Sequence, residues 1–340
     1  MPSPDNKVTI LDIAERANVS PSTVSRVLRN SAGVAQEKRD AVYQAVSDLD
    51  YRPNIFAQSL ASGQSMTIGV LTQNFGSPFY DGILQGILQG MEDTDYWPIF
   101  ADGRWQPAIE QQALELLLAR RVDGLILVGG QLSEPILQRI AAETPLVVVA
   151  RQLKSMPDRC IYVDNFTAAY QTTRFLLDMG HREIAHITAP VVYHQSVDDI
   201  ARRLEGYQRA LRDAGMEPDP RLLVEGNLQQ QSGVLAVEML LSRGCPFSAI
   251  FAANDQMAFG ARLALYRRAI RVPEDVSLVG FDDESSAAYM VPPLTTTRQP
   301  AAEMGEAAAR AILALINDKK PDLPVFQAEM VVRESAVRRR

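Results

Sequence analysis

At 340 residues the chain is too long for one ordinary domain and suits two or three. It is 46% hydrophobic and 22% charged, the balance of a soluble globular protein with well-filled cores. A net charge of −7 argues against a protein coated in nucleic acid, although a small basic surface can sit on a large acidic body.

Residues 8–29 come first, Val-Thr-Ile-Leu-Asp-Ile-Ala-Glu-Arg-Ala-Asn-Val-Ser-Pro-Ser-Thr-Val-Ser-Arg-Val-Leu-Arg. Thr9 followed three residues later by Asp12 predicts a capping box, and Ile10, Ile13, Ala14 and Ala17 then form one apolar stripe at helical spacing. Asn18 suits a short break, Ser20 an N-cap and Pro21 a first helical position, so a second helix starts there. Its buried side is Val24, Val27 and Leu28; Ser22, Ser25, Arg26 and Arg29 form the other face. Two short helices with a tight turn describe a helix-turn-helix, with Ser22, Thr23 and Arg26 able to reach base edges. Spacing alone fits an ordinary helical hairpin equally well. Arg16, Arg26, Arg29, Lys38, Arg39 and Arg52 are nearly balanced by carboxylates, so any DNA affinity depends on where the charges point. A third helix over Gln36 to Asp48 closes the unit, followed by Tyr51-Arg52-Pro53-Asn54-Ile55-Phe56-Ala57-Gln58-Ser59-Leu60-Ala61 and a Ser-Gly-Gln release. That last segment reads as a short Asn54-capped helix or as a plain linker.

The stretches TILDIAERANVSPSTVSRVLRN and YRPNIFAQSLASGQSMTIGVL resemble the headpiece and hinge of the lactose/galactose-repressor (LacI/GalR) family, and the likeness runs to about residue 335. The resemblance implies a hinge segment that orders on operator DNA and pushes Leu60 into the minor groove. It further implies base reading by Pro21, Ser22 and Arg26, and phosphate contacts from Thr9, Ser20, Thr23, Ser25 and Asn54. Ala57 and Leu60 are then expected in the minor groove, with Arg29 on the DNA-facing side. Ala35 stands where the family often has a capping Ser or Thr, so the third helix should be weakly capped.

From Met66 the texture changes to short apolar strands separated by helices. Strands are expected at 66–71, 97–101, 124–128, 145–149, 161–163, 183–187, 249–252 and 276–280. Helices are expected at 79–94, 107–120, 133–143, up to 179, through Arg203 to 214, and at 254–268. Such alternation indicates parallel sheets covered on both faces, in two doubly wound lobes of about five units each. Ligands of such sheets sit at strand carboxyl ends and in the cleft between lobes. Position alone nominates Gln73, Ser77, Phe79, Tyr80, Asp102, Arg104, Trp105, Arg151, Arg203, Asn254, Asp255, Asp282 and Asp283. Any one of them has a bland reading: Phe79 as core, Asp282 as a turn cap. Together, aromatic faces with Asp, Asn and Arg suit a sugar.

The family likeness continues through SPFYDGILQGI, RRVDGLIL, GHREIAHI, RRLEGYQRAL, FAANDQMAFGA and VGFDDESSAAYMVPPLTTTRQ. It implies an all-α helix-turn-helix headpiece and an α/β periplasmic-binding-protein-like body of two doubly wound parallel-sheet lobes. The implied domains are 1–63, with the hinge helix at about 54–62, and 64–340. Lobe 1 would span about 64–162 and 292–323, and lobe 2 about 163–291 and 324–338, with a helix around 302–316 and a last strand near 326–332. Effector contacts are implied at Phe79, Tyr80, Arg203, Asn254 and Asp282, with Asp102, Arg151 and Gln299 beside them and Gln73 by position. Ala150 and Leu228 depart from sugar-binding members that carry Asp and an aromatic ring there. The effector therefore cannot be copied from any one relative; a sugar or glycoside is the preferred expectation, with a purine or nucleoside second. The expected partners are operator DNA and a second copy of the chain as a homodimer.

Other chemistries find little support. Cys160 and Cys245 lie far apart, and His181, His186 and His194 lack ligand spacing, so neither zinc nor a disulfide is expected. There is no phosphate-binding glycine loop, nucleophile elbow or matched acid–base pair, so neither an enzyme nor a cofactor is expected. A transport receptor would share the two lobes but not the helix-turn-helix. The start, Met-Pro-Ser-Pro-Asp-Asn-Lys, lacks the apolar run of a signal peptide, and the expected location is the cytoplasm.

Overall fold

The computed structural model describes residues 8–28, 33–51, 64–189, 199–324 and 326–339. The chain divides between Ser65 and Met66 into two compact units. The first holds α1 (Ile10–Arg16), α2 (Pro21–Leu28) and α3 (Gln36–Asp48). Their apolar stripes meet in one core of Ile13, Ala14, Val24, Val27, Val42 and Ala45. The start of α1 is held by the Asp12 carboxylate, which accepts both the backbone N–H and the hydroxyl of Thr9 at 2.7 Å. Asn18 takes φ 50°, the left-handed turn that its side chain tolerates, and so lets the second helix cross the first. Ser20 caps α2 by accepting the Thr23 N–H at 3.2 Å.

The second unit contains two parallel sheets. The first has strand order β2-β1-β3-β4-β5, from β1 (Thr67–Thr72), β2 (Trp97–Asp102), β3 (Gly124–Val128), β4 (Leu146–Val149) and β5 (Cys160–Ile161). Helices α4 (Pro78–Gln89), α5 (Pro107–Ala119) and α6 (Glu134–Glu143) connect its strands. Both faces of the sheet are apolar because helices cover both, as with Ile68 and Val70 on one side and Leu71 and Leu125 on the other. The second sheet runs β7-β6-β8-β9, from β6 (Ile184–Thr188), β7 (Leu223–Glu225), β8 (Ala249–Ala252) and β9 (Ser277–Val279). It has four strands rather than five, and beyond β9 the row continues only as isolated parallel bridges, Val279 to Thr295 and Asp282 to Arg298. Helices α7 (Asn165–Asp178), α8 (Asp199–Asp213), α9 (Gln230–Ser242) and α10 (Asp255–Arg267) cover it.

The chain then returns to the first lobe through β10 (Thr296–Arg298) and α11 (Ala301–Ile316), which packs on α4. It comes back along β11 (Glu329–Val331), antiparallel to β10. The α4–α11 crossing is so close that a Cβ on Gly86 would lie 1.9 Å from the Ala302 carbonyl oxygen. A similar crossing joins α9 to α10, where Gly233 and Gly260 face the Met257 and Gln230 carbonyls. That explains why residues 223–242 yield no element from sequence: β7 is three residues long, and Gly233 interrupts the apolar pattern of α9. Two expected spans also shorten. Helix α4 stops at Gln89 rather than near 94, and β5 stops at Ile161, with Val163 making only a bridge to Phe326.

At the start of α3, Ala35 has an extended N-cap backbone (φ −58°, ψ 144°) but no side chain able to accept a hydrogen bond. Ala35→Ser should therefore stabilise the first unit by about 1 kcal/mol, seen as a higher thermal midpoint by circular dichroism. An unchanged midpoint would show that the open cap matters little.

Candidate DNA-reading helix and ligand cleft

In the first unit, α2 buries Val24 and Val27 and leaves Pro21, Ser22 and Arg26 exposed. Ser20, Ser22 and Thr23 gather at its N-terminus, the Ser20 hydroxyl lying 2.8 Å from that of Ser22 and 2.9 Å from that of Thr23. Hydroxyls and a helix N-terminus together favour an anion such as a phosphate. Ser25 is half-buried, and exposed Thr9 is engaged with Asp12. Arg29, Asn54, Ala57 and Leu60 lie outside the described residues.

The second unit contains a cleft of about 340 Å³ between its lobes. Most lining residues sit just past the carboxyl end of a parallel strand. Gln73 follows β1, Arg104 and Trp105 follow β2, Gly129 to Gln131 follow β3, and Ala150 and Arg151 follow β4. From the other lobe, Asn227 to Gln229 follow β7, Asn254 follows β8, Asp282 follows β9, and Arg203 projects from α8. This convergence follows from topology, since all strands in a parallel sheet end on the same edge.

Phe79 and Tyr80, at the start of α4, meet edge to face with ring centres 5.4 Å apart, and Trp105 meets Tyr80 at 6.0 Å. The three rings form one apolar wall. Opposite them the buried Arg203 guanidinium lies 3.7 Å over the Phe281 ring. Its Nε donates to Asn165 Oδ1 at 2.7 Å and its Nη1 to the Ala253 carbonyl, with Asp282 at 3.6 Å. Burial pushes the Asp282 carboxyl up to about 6, although Arg203 and the Gln299 amide hold it down. Burial also raises Asp255, with the Asp282 charge adding to it, and carries Glu284 to about 7 with the same help. Asn254 caps α10 by accepting the Met257 N–H at 3.0 Å and donates to the Leu228 carbonyl at 2.9 Å. Arg151 is fixed by a 2.7 Å bond to the Leu132 carbonyl. Buried Glu110 accepts the Gln131 N–H at 2.9 Å and so holds the loop behind them.

Four nominated residues, Asp102, Asp255, Asp283 and Gln299, are not in the lining. Asp102 turns its carboxylate to its own loop, accepting the Arg104 N–H at 2.9 Å and the Phe75 N–H at 3.4 Å. Gln299 stands behind Asp282, donating to its Oδ1 at 2.8 Å. Conversely, Asn227, Gln229 and Gln131 line the cleft without having been nominated. The end of β7 would have pointed to the first two, had so short a strand been legible. Arg104, Trp105, Ala150, Leu228 and Asp282 all have positive φ, between 54° and 106°. Backbone strain of this kind gathers where side chains must be aimed.

The sequence matches the description "Bacterial regulatory proteins, lacI family" over residues 9–54 and "Periplasmic binding protein-like domain" over residues 173–336. It is 34% identical to the HTH-type transcriptional regulator AscG of Escherichia coli, over 97% of this chain and 98% of that one. The chain belongs to the lacI family of bacterial regulatory proteins. It is 36% identical to the regulator GalS of Salmonella typhimurium, over 90% of this chain and 89% of the relative. The lac repressor dimer bound to operator and the anti-inducer ONPF superposes with a TM-score of 0.87 at 28% identity, covering 98% of this chain and 100% of that one. A CelR–cellobiose complex gives 0.72 at 34% identity, over 96% and 99%. This lacI-family chain is thus a DNA-binding transcription regulator and not an enzyme. Among the described residues, no helix is long and apolar enough to cross a membrane.

The raised carboxyls of the regulator's second lobe give a test with a definite sign. Glu284 takes up a proton on folding between its ordinary value of 4.5 and about 7, so its ionisation weakens the fold as pH rises through that window. Glu284→Gln should gain on the order of 1–3 kcal/mol over wild type at pH 8, and the gain should vanish towards pH 4.5. Denaturant unfolding at several pH values measures the difference; a pH-independent difference would contradict it.

Proposed function

We propose that this regulator is a repressor that binds a palindromic operator as a homodimer and responds to a sugar or glycoside held in the inter-lobe cleft. Its head would be residues 1–63 and its sensor 64–340, working in the cytoplasm where its DNA target lies. The sugar reading rests on one observation: an aromatic wall of Phe79, Tyr80 and Trp105 opposite the polar group Arg203, Asn254 and Asp282. Rings cover the apolar face of a pyranose, while the arginine and carboxylate bind vicinal hydroxyls in bidentate fashion. Gln73 and Arg151 add polar contacts on the first-lobe side, and Asp102 and Gln299 act from behind through the backbone and Asp282. The cellobiose bound to CelR, and the operator bound to the lac repressor dimer, support the two halves of the reading by likeness.

In the head, Pro21, Ser22 and Arg26 would read bases, with Thr9, Ser20, Thr23, Ser25 and Asn54 at phosphates, Arg29 beside them, and Ala57 and Leu60 in the minor groove. An exposed apolar patch on the second lobe, including Tyr266 (69% exposed), Tyr289 (85%) and Val291 (79%), suits a second copy. Regulation then requires only that the sugar bind two lobe arrangements unequally.

Two measurements test this function. Arg26→Ala should relax selectivity at one base pair of each half-site by about 1–3 kcal/mol in a binding-site selection; unchanged selectivity would remove Arg26 as a reader. A thermal-shift screen of sugars against nucleobases should find a sugar that adds about 2.7 kcal/mol of stability at a hundred times its dissociation constant. A nucleobase response with no sugar response would overturn the ligand class.

A further inference from the structure

Asn165, the first residue of α7, is 2% exposed and does not touch the cleft, yet both halves of its amide are engaged. Its Oδ1 accepts from Arg203 Nε at 2.7 Å, and its Nδ2 donates to the Val163 carbonyl at 3.1 Å. Val163 lies where the chain passes from the first lobe to the second, and it bridges to Phe326 on the returning segment. One amide thus joins the crossover to the arm reaching into the cleft. With Nε on Asn165 and Nη1 on Ala253, the guanidinium cannot rotate about its stem, and Nη2 makes no hydrogen bond among the described residues.

We propose that Asn165 is a positioning residue for the ligand site, fixing the Arg203 guanidinium so that its free edge faces a bound sugar and tying that arm to the inter-lobe crossover. The side-chain chemistry is demanding. The group must accept on one side and donate on the other, at a reach that only asparagine spans here. A carboxylate would keep the bond to Arg203 but repel the Val163 carbonyl, and an aliphatic chain of equal size would make neither bond. The proposal rests on the sugar reading of the cleft but adds a residue outside the lining.

The test uses the full chain with Asn165→Leu and Asn165→Asp. Cellobiose, D-galactose and D-ribose serve as probes by calorimetry between pH 5 and 8, alongside melting of the unliganded proteins. Asn165→Leu should weaken binding of whichever probe the wild type takes roughly tenfold or more. Asn165→Asp should stay within about threefold at pH 8, because its carboxylate still accepts from Nε. Its acid limb, however, should move to higher pH. Asp282 faces Arg203 from α8, Asp255 at the start of α10, Glu284 on its own loop and the neutral Gln299, with neutral His186 of β6 near Arg203. A further negative charge on Arg203 removes part of what keeps Asp282 ionised.

A merely structural role would lower melting and affinity together and leave the acid limb in place. Wild-type affinity in the Leu variant, or an acid limb in the Asp variant that superimposes on wild type, overturns the assignment. Should the Leu variant fail to fold, the pH profile of the Asp variant decides alone. If the wild type binds none of the three sugars, the sugar reading falls and this assignment falls with it; binding without the expected variant effects sinks the assignment only.

Discussion

The ligand cleft depends on keeping one guanidinium charged and still inside an apolar lobe. Arg203 is 4% exposed, and isolating its charge there would be prohibitive without partners. The lobe supplies an amide, a carbonyl, the face of Phe281 and the carboxylate of Asp282. Removing one partner of such a pair is far more damaging than never having had it, since the survivor stays buried and uncompensated. The stack continues inward from Phe281 to Phe251, His186 and Tyr207, with ring centres 6.5, 4.7 and 4.8 Å apart. His186, driven down to about 4 by burial, stays neutral there and adds no second positive charge near Arg203.

Asp282 and its neighbours turn this arrangement towards the crossovers. Asp283 pairs with Arg298 and with Arg333, each at 2.7 Å. Arg298 ends β10, which leads back to the first lobe, and Arg333 follows β11, which returns from it. Adjacent residues of one turn with positive φ therefore place a carboxylate in the cleft on one side and hold both returning strands on the other. A ligand that draws Asp282 across the cleft acts on segments shared by the two lobes. Such a contact lets unequal binding to two lobe arrangements become a conformational bias.

The lobes themselves are stiff because their helices cross at backbone distance. Gly86 on α4 and Gly305 on α11 abut each other's helix, and Gly233 and Gly260 do the same for α9 and α10. Close packing of this kind leaves few ways to deform within a lobe. The cleft residues with positive φ sit on those stiff bodies at strand ends, where strain can be borne without loosening the sheet.

Much of this was legible in the residues. Thr9 with Asp12, Asn18, Ser20 and Pro21 carry their own local physics, so the caps and turn of the head follow from a few adjacent side chains. The apolar strands and their spacing determined two parallel sheets, and strand ends alone nominated Gln73, Arg151, Asn254 and Asp282 for the lining. Tertiary structure decided the rest. Whether Asp102 and Gln299 face a ligand or a neighbouring group depends on loop backbone and on Asp282, neither of which periodicity encodes. The glycine of α9 reads locally as a break and becomes a helix contact only when Met257 lies opposite. Asn165 is likewise an unremarkable helix-start residue until α8, 38 residues away, brings Arg203 to it. Sequence determines what a side chain can offer, while long-range packing decides which partner accepts the offer.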